Sequence, residues 1–481
     1  MFALGEAALR PGLDALAGQV TTAGEGIPYV LFNSLGWARD AVIALSVEDM
    51  AASQAAGGSA AAGLADRNWT AYDEAGHSLP LDIVSSPAAA GQPSVRIHVP
   101  QIPALGYKTI WLRSGAPDTA VAALALEAAT VTESPVLDDS WETPYYRLMF
   151  NERGEITSLF DKAAGREILQ PGGRANRFHF FHDRPTLWDA WDIDSRYEEQ
   201  PAGEAELAEK YVLHSGKVQD VLRFRWKLGG SEITQDLILY ADDRRIDFKT
   251  HVDWNEAHKL LKVGFPVDVI ADKATYEIPF GALERPTHRN TSWEQAQYEV
   301  CGHRFADVSE HGYGVSLLND SKYGYDIQGS TMRLSLLRAP KWPDATADLG
   351  SHDFTYSLYP HTGDWRSAHT LRRAAELNLE VPVFAAAEQS GHLPSAGSLI
   401  GFSGQHVVLD TVKPSEDGQG SILRLYESSG GRETVKLNWN QPFNEVYLSN
   451  TLEEKLETVA HHEGQFELHF APFEIKTIYI Q

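Results

Sequence analysis

Residues 246–254 read Ile-Asp-Phe-Lys-Thr-His-Val-Asp-Trp, apolar or β-branched at every even number and polar at every odd one. A period of two puts successive side chains on opposite faces of an extended chain, so this run is predicted to be a strand. Ile246, Phe248, Thr250, Val252 and Trp254 would face a core, and Asp247, Lys249, His251 and Asp253 would face water. The run at 235–240 enters it through Ala241-Asp242-Asp243-Arg244, which predicts a hairpin. A sheet must bury its apolar face against another layer, so a chain built from such runs is committed to stacked sheets.

Such runs recur along nearly the whole length. Tyr29-Val30-Leu31-Phe32, Ala41-Val42-Ile43-Ala44-Leu45, Val95-Arg96-Ile97-His98-Val99 and Lys108-Thr109-Ile110-Trp111-Leu112 define a small β-sandwich domain over 27–125, with an Ala/Gly/Ser-rich surface loop at 51–63. Leu148-Met149-Phe150, Phe178-His179-Phe180-Phe181, Val263-Gly264-Phe265, Gly314-Val315-Ser316-Leu317-Leu318, Met332-Arg333-Leu334-Ser335-Leu336 and Phe354-Thr355-Tyr356-Ser357-Leu358 extend a large sandwich over 126–388, closed by a short helix near 367–376. After a polar link at 389–398, a terminal sandwich occupies the rest of 389–481, through Ile422-Leu423-Arg424-Leu425-Tyr426, Phe466-Glu467-Leu468-His469-Phe470 and Ile475-Lys476-Thr477-Ile478-Tyr479. The fold class is all-β. The exception is the start, where Leu4, Ala8, Leu9, Leu13 and Leu16 follow a helical spacing that Pro11 is expected to interrupt.

Charge and cysteine content narrow the function. Sixty-six acidic against 41 basic side chains give a net charge of -25, which repels nucleic acid and anionic membrane surfaces. One cysteine, Cys301, excludes an internal disulfide framework and suits the cytoplasm. No run is long and apolar enough to span a bilayer, and the first residues lack the layout of a signal peptide.

Phosphate-binding glycine loops, Gly-x-Ser-x-Gly and His-Glu-x-x-His are absent. His251 and Asp253 share one strand face and have metal-ligand chemistry, but the plainer reading is a hydrogen-bonded or solvated pair. His461-His462-Glu463-Gly464 reads as a turn. Phe181-His182-Asp183-Arg184-Pro185-Thr186-Leu187-Trp188-Asp189-Ala190-Trp191-Asp192-Ile193-Asp194 is more specific. Indoles three apart among carboxylates are what sugar sites employ: ring faces take the C–H side of a pyranose, and carboxylates accept its hydroxyls. In the competing reading Trp188 and Trp191 plug the sandwich and the acids cap a loop. Arg285-Pro286-Thr287-His288-Arg289-Asn290-Thr291-Ser292-Trp293 is a second polar-aromatic loop.

At these stretches, and at Ser309-Glu310-His311-Gly312-Tyr313-Gly314, Asn319-Asp320-Ser321-Lys322-Tyr323-Gly324, Leu336-Leu337-Arg338-Ala339-Pro340 and Pro343-Asp344-Ala345-Thr346, the chain resembles glycoside hydrolase family 38, the α-mannosidases, most closely their cytosolic type and bacterial relatives. The resemblance runs in family order from about Pro28 and covers only the family's β-rich carboxyl-terminal half. It implies a mutarotase-like large sandwich, and residues 1–26 as the end of a helical-bundle domain. It also implies that the retaining chemistry, the catalytic carboxylates and the zinc ligands lie in an upstream catalytic domain. No catalytic or metal residue is therefore expected in this chain, which alone would be inactive, and zinc or another divalent metal belongs to the complete enzyme. Loops of the large sandwich would border the active site, making Trp188, Asp189, Trp191, Asp192, Arg285, His288 and Asn290 candidates for contacts to substrate or to the upstream domain. The partners implied are a mannose-containing oligosaccharide, the upstream domain and a second copy in a homo-oligomer. Two other readings stand beside this one: a free-standing carbohydrate-binding or interaction module, and an aldose-epimerase-like enzyme using a His with a Glu.

Overall fold

The alternating runs form strands where burial follows the alternation. The computed structural model describes residues 2–46, 69–84, 94–114 and 137–481; the Ala/Gly/Ser-rich stretch at 51–63 and the expected domain junction near 125 lie outside them. The chain divides into two compact units, Met1–Thr132 with Glu380–Gln481, and Glu133–Leu379.

In the first unit, one sheet runs in the order Val383–Ala385, Ile27–Asn33, Gly106–Ser114, Trp69–Tyr72, Ser78–Leu79, and Ala396–Ser398 also pairs with Gly106–Ser114. A second sheet orders Arg39–Ser46, Ser94–Ile102 and Leu81–Val84. Both contribute to one core that includes Leu31, Ile43, Ile97 and Ile110. The amino-terminal helix spans Phe2–Ala17 and runs on through Pro11, contrary to the expected interruption. A proline there removes one helical donor and crowds the carbonyl of residue 7, and Ala7 and Pro11 are both exposed, so the freed group is open to solvent. Beyond the helix end, Gln389 Nε2 donates to the carbonyls of Ala17 and Val20, each at 3.0 Å.

Four- and five-stranded sheets make the terminal sandwich, packed through Leu425, Val435, Phe466 and Ile478. The expected turn at 461–464 is a hairpin in which His461–His462 pairs with Phe466 and Gln465. Glu463 and Gly464 both have positive φ, as tight primed turns require.

The second unit holds a nine-stranded antiparallel sheet, a six-stranded sheet and a four-stranded sheet around a core that includes Phe224, Phe248, Trp254, Phe265 and Tyr356. The predicted hairpin is Ser231–Tyr240 with Ile246–Trp254, in register Ile238↔Asp247 and Thr234↔His251. Lys249 and Asp253 face water as expected, but Asp247 is buried. Arg245 Nε at 2.7 Å, Tyr240 Oη at 2.7 Å and Ser357 Oγ at 2.6 Å all donate to it, so its charge is compensated rather than solvated. The closing helix spans Thr370–Asn378, later than expected, because Ser367 turns back onto Asp364. No helix among the described residues is long and apolar enough to cross a membrane.

Candidate functional site

The six-stranded sheet orders Pro201–Gly203, Arg177–His182, Lys259–Pro266, Thr331–Arg338, Gly324–Gln328 and Val300–Cys301. Period two sends Phe178, Phe180, Leu261, Val263, Leu334 and Tyr325 into the core. The alternate positions, His179, Lys262, Arg333, Ser335 and Asp326, are polar, and they meet on the opposite face. Lys262 is fully buried, and its ammonium bonds Glu299, Asp326 Oδ2 at 3.1 Å and Tyr197 Oη at 3.3 Å. Arg333 joins Asp326 Oδ2 at 2.7 Å to Glu198 Oε1 at 2.6 Å, and Arg289 reaches Glu198 at 3.4 Å. Burial raises the Asp326 carboxyl, but Lys262 and Arg333 together hold it below the usual carboxylate range. His179 pairs in register with Lys262, and Gly264 makes room for its ring: a Cβ there would stand 2.6 Å from Nε2. Burial first, then the charges of Arg333, Arg177 and Lys262, lower the imidazole to about 3, so it is neutral.

The loop after Arg177–His182 carries four of the candidate residues. Trp188 is 62% exposed and Trp191 85%, so neither plugs the sandwich. The acids are divided. Both oxygens of Asp189 are engaged: Oδ1 accepts from His258 Nδ1 at 3.1 Å, while Oδ2 accepts the backbone N–H groups of Trp342 at 3.1 Å and of Lys341. Burial alone would raise its pKa; these donors leave it lowered. Asp192 is exposed, and one of its oxygens accepts from the Ile193 amide. Arg338 closes the loop from below, donating to the Asp192 carbonyl at 2.7 Å and to Asp183 Oδ2 at 2.7 Å. The Asp183 carboxyl is raised by burial against the pull of Arg338.

The second loop turns on Glu294. Its Oε2 accepts the amides of Asn290 and Thr291 and lies 3.2 Å from His288 Nδ1, while Thr291 caps the short helix Ser292–Gln295 in a capping box. Arg285 stacks its guanidinium over Tyr276 at 4.7 Å. The two loops meet through partners sequence reading did not select: Tyr298 Oη donates to the Ile193 carbonyl at 2.6 Å, and Arg289 bonds Glu198. Also missed was Trp342, whose ring centroid lies 5.5 Å from that of Trp188. An indole between Lys341 and Pro343 in a polar loop was the available signal, as was the lone Lys262 within the apolar run 260–265.

His251 bonds Asp353 Oδ1 at 2.8 Å across strands, with Asp253 at 3.6 Å, on the exposed face. Among the described residues no group of three or more His, Cys, Asp or Glu side chains is placed to hold a metal ion.

Comparison with known proteins adds to this geometry. The glycosyl hydrolases family 38 C-terminal domain matches residues 141–346, and the family's C-terminal beta sandwich domain matches residues 406–478. Alpha-mannosidase G of Dictyostelium discoideum is 38% identical over 350 residues, 70% of this chain and 32% of that protein. Alpha-mannosidase 2C1 of Homo sapiens is 35% identical over 406 residues, 83% of this chain and 38% of that protein. The crystal structure of an alpha-mannosidase from Enterococcus faecalis V583 superposes with a TM-score of 0.75 over 98% of this chain and 58% of that one, at 16% identity, which is a likeness of fold. The chain spans about a third of the length of these curated relatives.

Proposed function

The chain belongs to glycosyl hydrolase family 38, whose carboxyl-terminal domains it carries, and we propose that it is the sugar-contacting part of a retaining, zinc-dependent α-mannosidase that hydrolyses α-D-mannosides in the cytoplasm. The observation that carries the contact role is the exposure of Trp188 beside a loop whose polar groups are already ordered. An indole held in water at such a place offers its face to the C–H side of a pyranose.

The breaking of the glycosidic bond is assigned to an upstream catalytic domain. Retaining hydrolysis needs two carboxyl groups about 5–5.5 Å apart, one as nucleophile and one as proton donor. The site's inner carboxylates serve as counter-ions instead: Asp326 to Lys262 and Arg333, Glu299 to Lys262, Asp183 to Arg338. Among the described residues no set of His, Cys, Asp or Glu side chains is placed to hold zinc, and His251 pairs instead with Asp353 and Asp253 on an exposed strand face. Platform binding is felt nearly equally by ground and transition states, so it lowers KM without raising kcat.

Release of p-nitrophenol from p-nitrophenyl α-D-mannoside tests the reading. The purified chain with added zinc or cobalt is expected to give none, and co-expression with the upstream half of a family 38 relative to restore turnover. Metal-stimulated turnover by the chain alone, or none after restoration, would overturn it.

A further inference from the structure

Resting on that reading, we propose that the indoles of Trp188 and Trp342 form one two-ring platform for a pyranose of an α-mannoside oligosaccharide, and that Asp189 is its positioning residue rather than a sugar ligand. The rings lie 5.5 Å apart at 35°, and 62% of one residue and 55% of the other meet water. They come from loops about 150 positions apart, so something must hold them in step. Asp189 follows Trp188 in the chain, and its Oδ2 takes the amides of Lys341 and Trp342, directly fastening one indole loop to the other. With His258 on Oδ1 the carboxylate has no free oxygen directed at a hydroxyl by this arrangement, which changes the role expected for it.

Two further observations point to a ligand here. Trp188 has φ +55°, a left-handed conformation that is an outlier for a bulky side chain and persists only when its surroundings impose it. Polar capacity is also left over in the loops that carry the rings. Lys341, next in chain to Trp342, has a buried ammonium nitrogen with no hydrogen-bond partner, and buried Asp183 has a carboxylate oxygen in the same condition. Ring faces open to water, on loops that also carry polar atoms without a partner, suit a sugar, which presents C–H groups on one side and hydroxyls at its rim. It does not match a wholly apolar occupant.

The probe is an α-linked mannotriose titrated into the full chain, read by saturation-transfer difference NMR and indole fluorescence. Trp188→Ala and Trp342→Ala should each weaken binding about tenfold, Trp342→Phe should retain most of it, and Trp293→Ala should leave it unchanged. Asp189→Asn should weaken binding and also abolish the exciton couplet that two close, mutually tilted indoles give in circular dichroism, a signature that a general loss of stability would not select. Unchanged affinity in both alanine variants, or no binding at about 30 mM sugar, far above the roughly 1 mM of a weak site, overturns the platform. A couplet and affinity that both survive Asp189→Asn overturn the positioning role. Sugar binding indifferent to both indoles would defeat this inference and leave the mannosidase reading standing. Failure of the reconstituted enzyme to turn over would defeat that reading and leave the platform data unaffected.

Discussion

Acidification provides a direct test of the electrostatics beneath the loops, because one half-buried group there is displaced far from its ordinary value. His179 is lowered from an ordinary 6.5 to about 3 by burial and by three neighbouring cations. Above pH 6.5 the ring is neutral in the folded and unfolded chain, and it contributes nothing to pH dependence. Below that the unfolded ring takes up a proton that the folded one refuses, so stability falls as pH falls, down to the folded value near 3. The slope for one proton is about 1.4 kcal/mol per pH unit, so by about pH 5 His179 alone costs about 2 kcal/mol. The perturbation is His179→Gln, which fits the strand and does not titrate. Urea unfolding of both proteins at about pH 7.5 and about pH 5 separates this group from every carboxylate the two proteins share. The parent should lose about 2 kcal/mol more than the variant across that interval. Equal losses in the two proteins would refute the argument that the imidazole is held neutral against Lys262 and Arg333.

The other predictions concern the same network and the first unit. Lys262→Met should destabilise the second unit by about 3–5 kcal/mol in urea unfolding, because it leaves buried Asp326 and half-buried Glu299 without their shared cation; adding Asp326→Asn should recover part of the loss, and a cost no larger than for a surface lysine would contradict the burial of that charge. Gln389→Ala should cost about 1–2 kcal/mol, since one amide satisfies two carbonyls at the end of the first helix. Faster hydrogen exchange in Phe2–Ala17 would report it, and unaltered exchange would mean that the helix is held by its apolar stripe alone.

How much of this was legible in the sequence depends on the reach of the interaction. Strands were readable because alternation and burial are both local: Ile246 to Trp254 show the same period in residue type and in exposure, with Asp247 the exception. That exception was not readable, since the three side chains that donate to Asp247 come from its own loop, the preceding strand and a strand 110 positions on. Pairing order was equally hidden: nothing in Val383–Ala385 announces that it lies beside Ile27–Asn33. The aromatic loop was found by composition, but whether its indoles point inward or outward was undecidable, because tryptophan is among the most buried side chains on average and yet recurs at binding sites. Trp342 was not joined to that loop because the carboxylate that fastens it, Asp189, stands 153 positions away.

The use made of charge explains why the loops keep one arrangement. On the face of the six-stranded sheet beneath them, Lys262, Arg333 and Arg289 meet Asp326, Glu198 and Glu299, three cations and three carboxylates linked pairwise. Apolar packing there would also exclude water, but it is non-directional, and a loop lying on it would have many nearly equal positions. Charge-assisted hydrogen bonds fix both partner and angle. Glu198, held between Arg333 of the sheet and Arg289 of the second loop, sets where the turn Tyr197–Glu199 rests; Tyr298, bonded to the Ile193 carbonyl, sets where the second loop meets the first. The strained backbone at Trp188 sits a few residues before Ile193, and the stretch between them is held by Arg338 at the Asp192 carbonyl and by Asp189 at the Lys341 amide. The conformational freedom an exposed aromatic loop would otherwise have is therefore lost on folding, before any ligand arrives, which is what a binding surface needs if little of its affinity is to go into ordering itself.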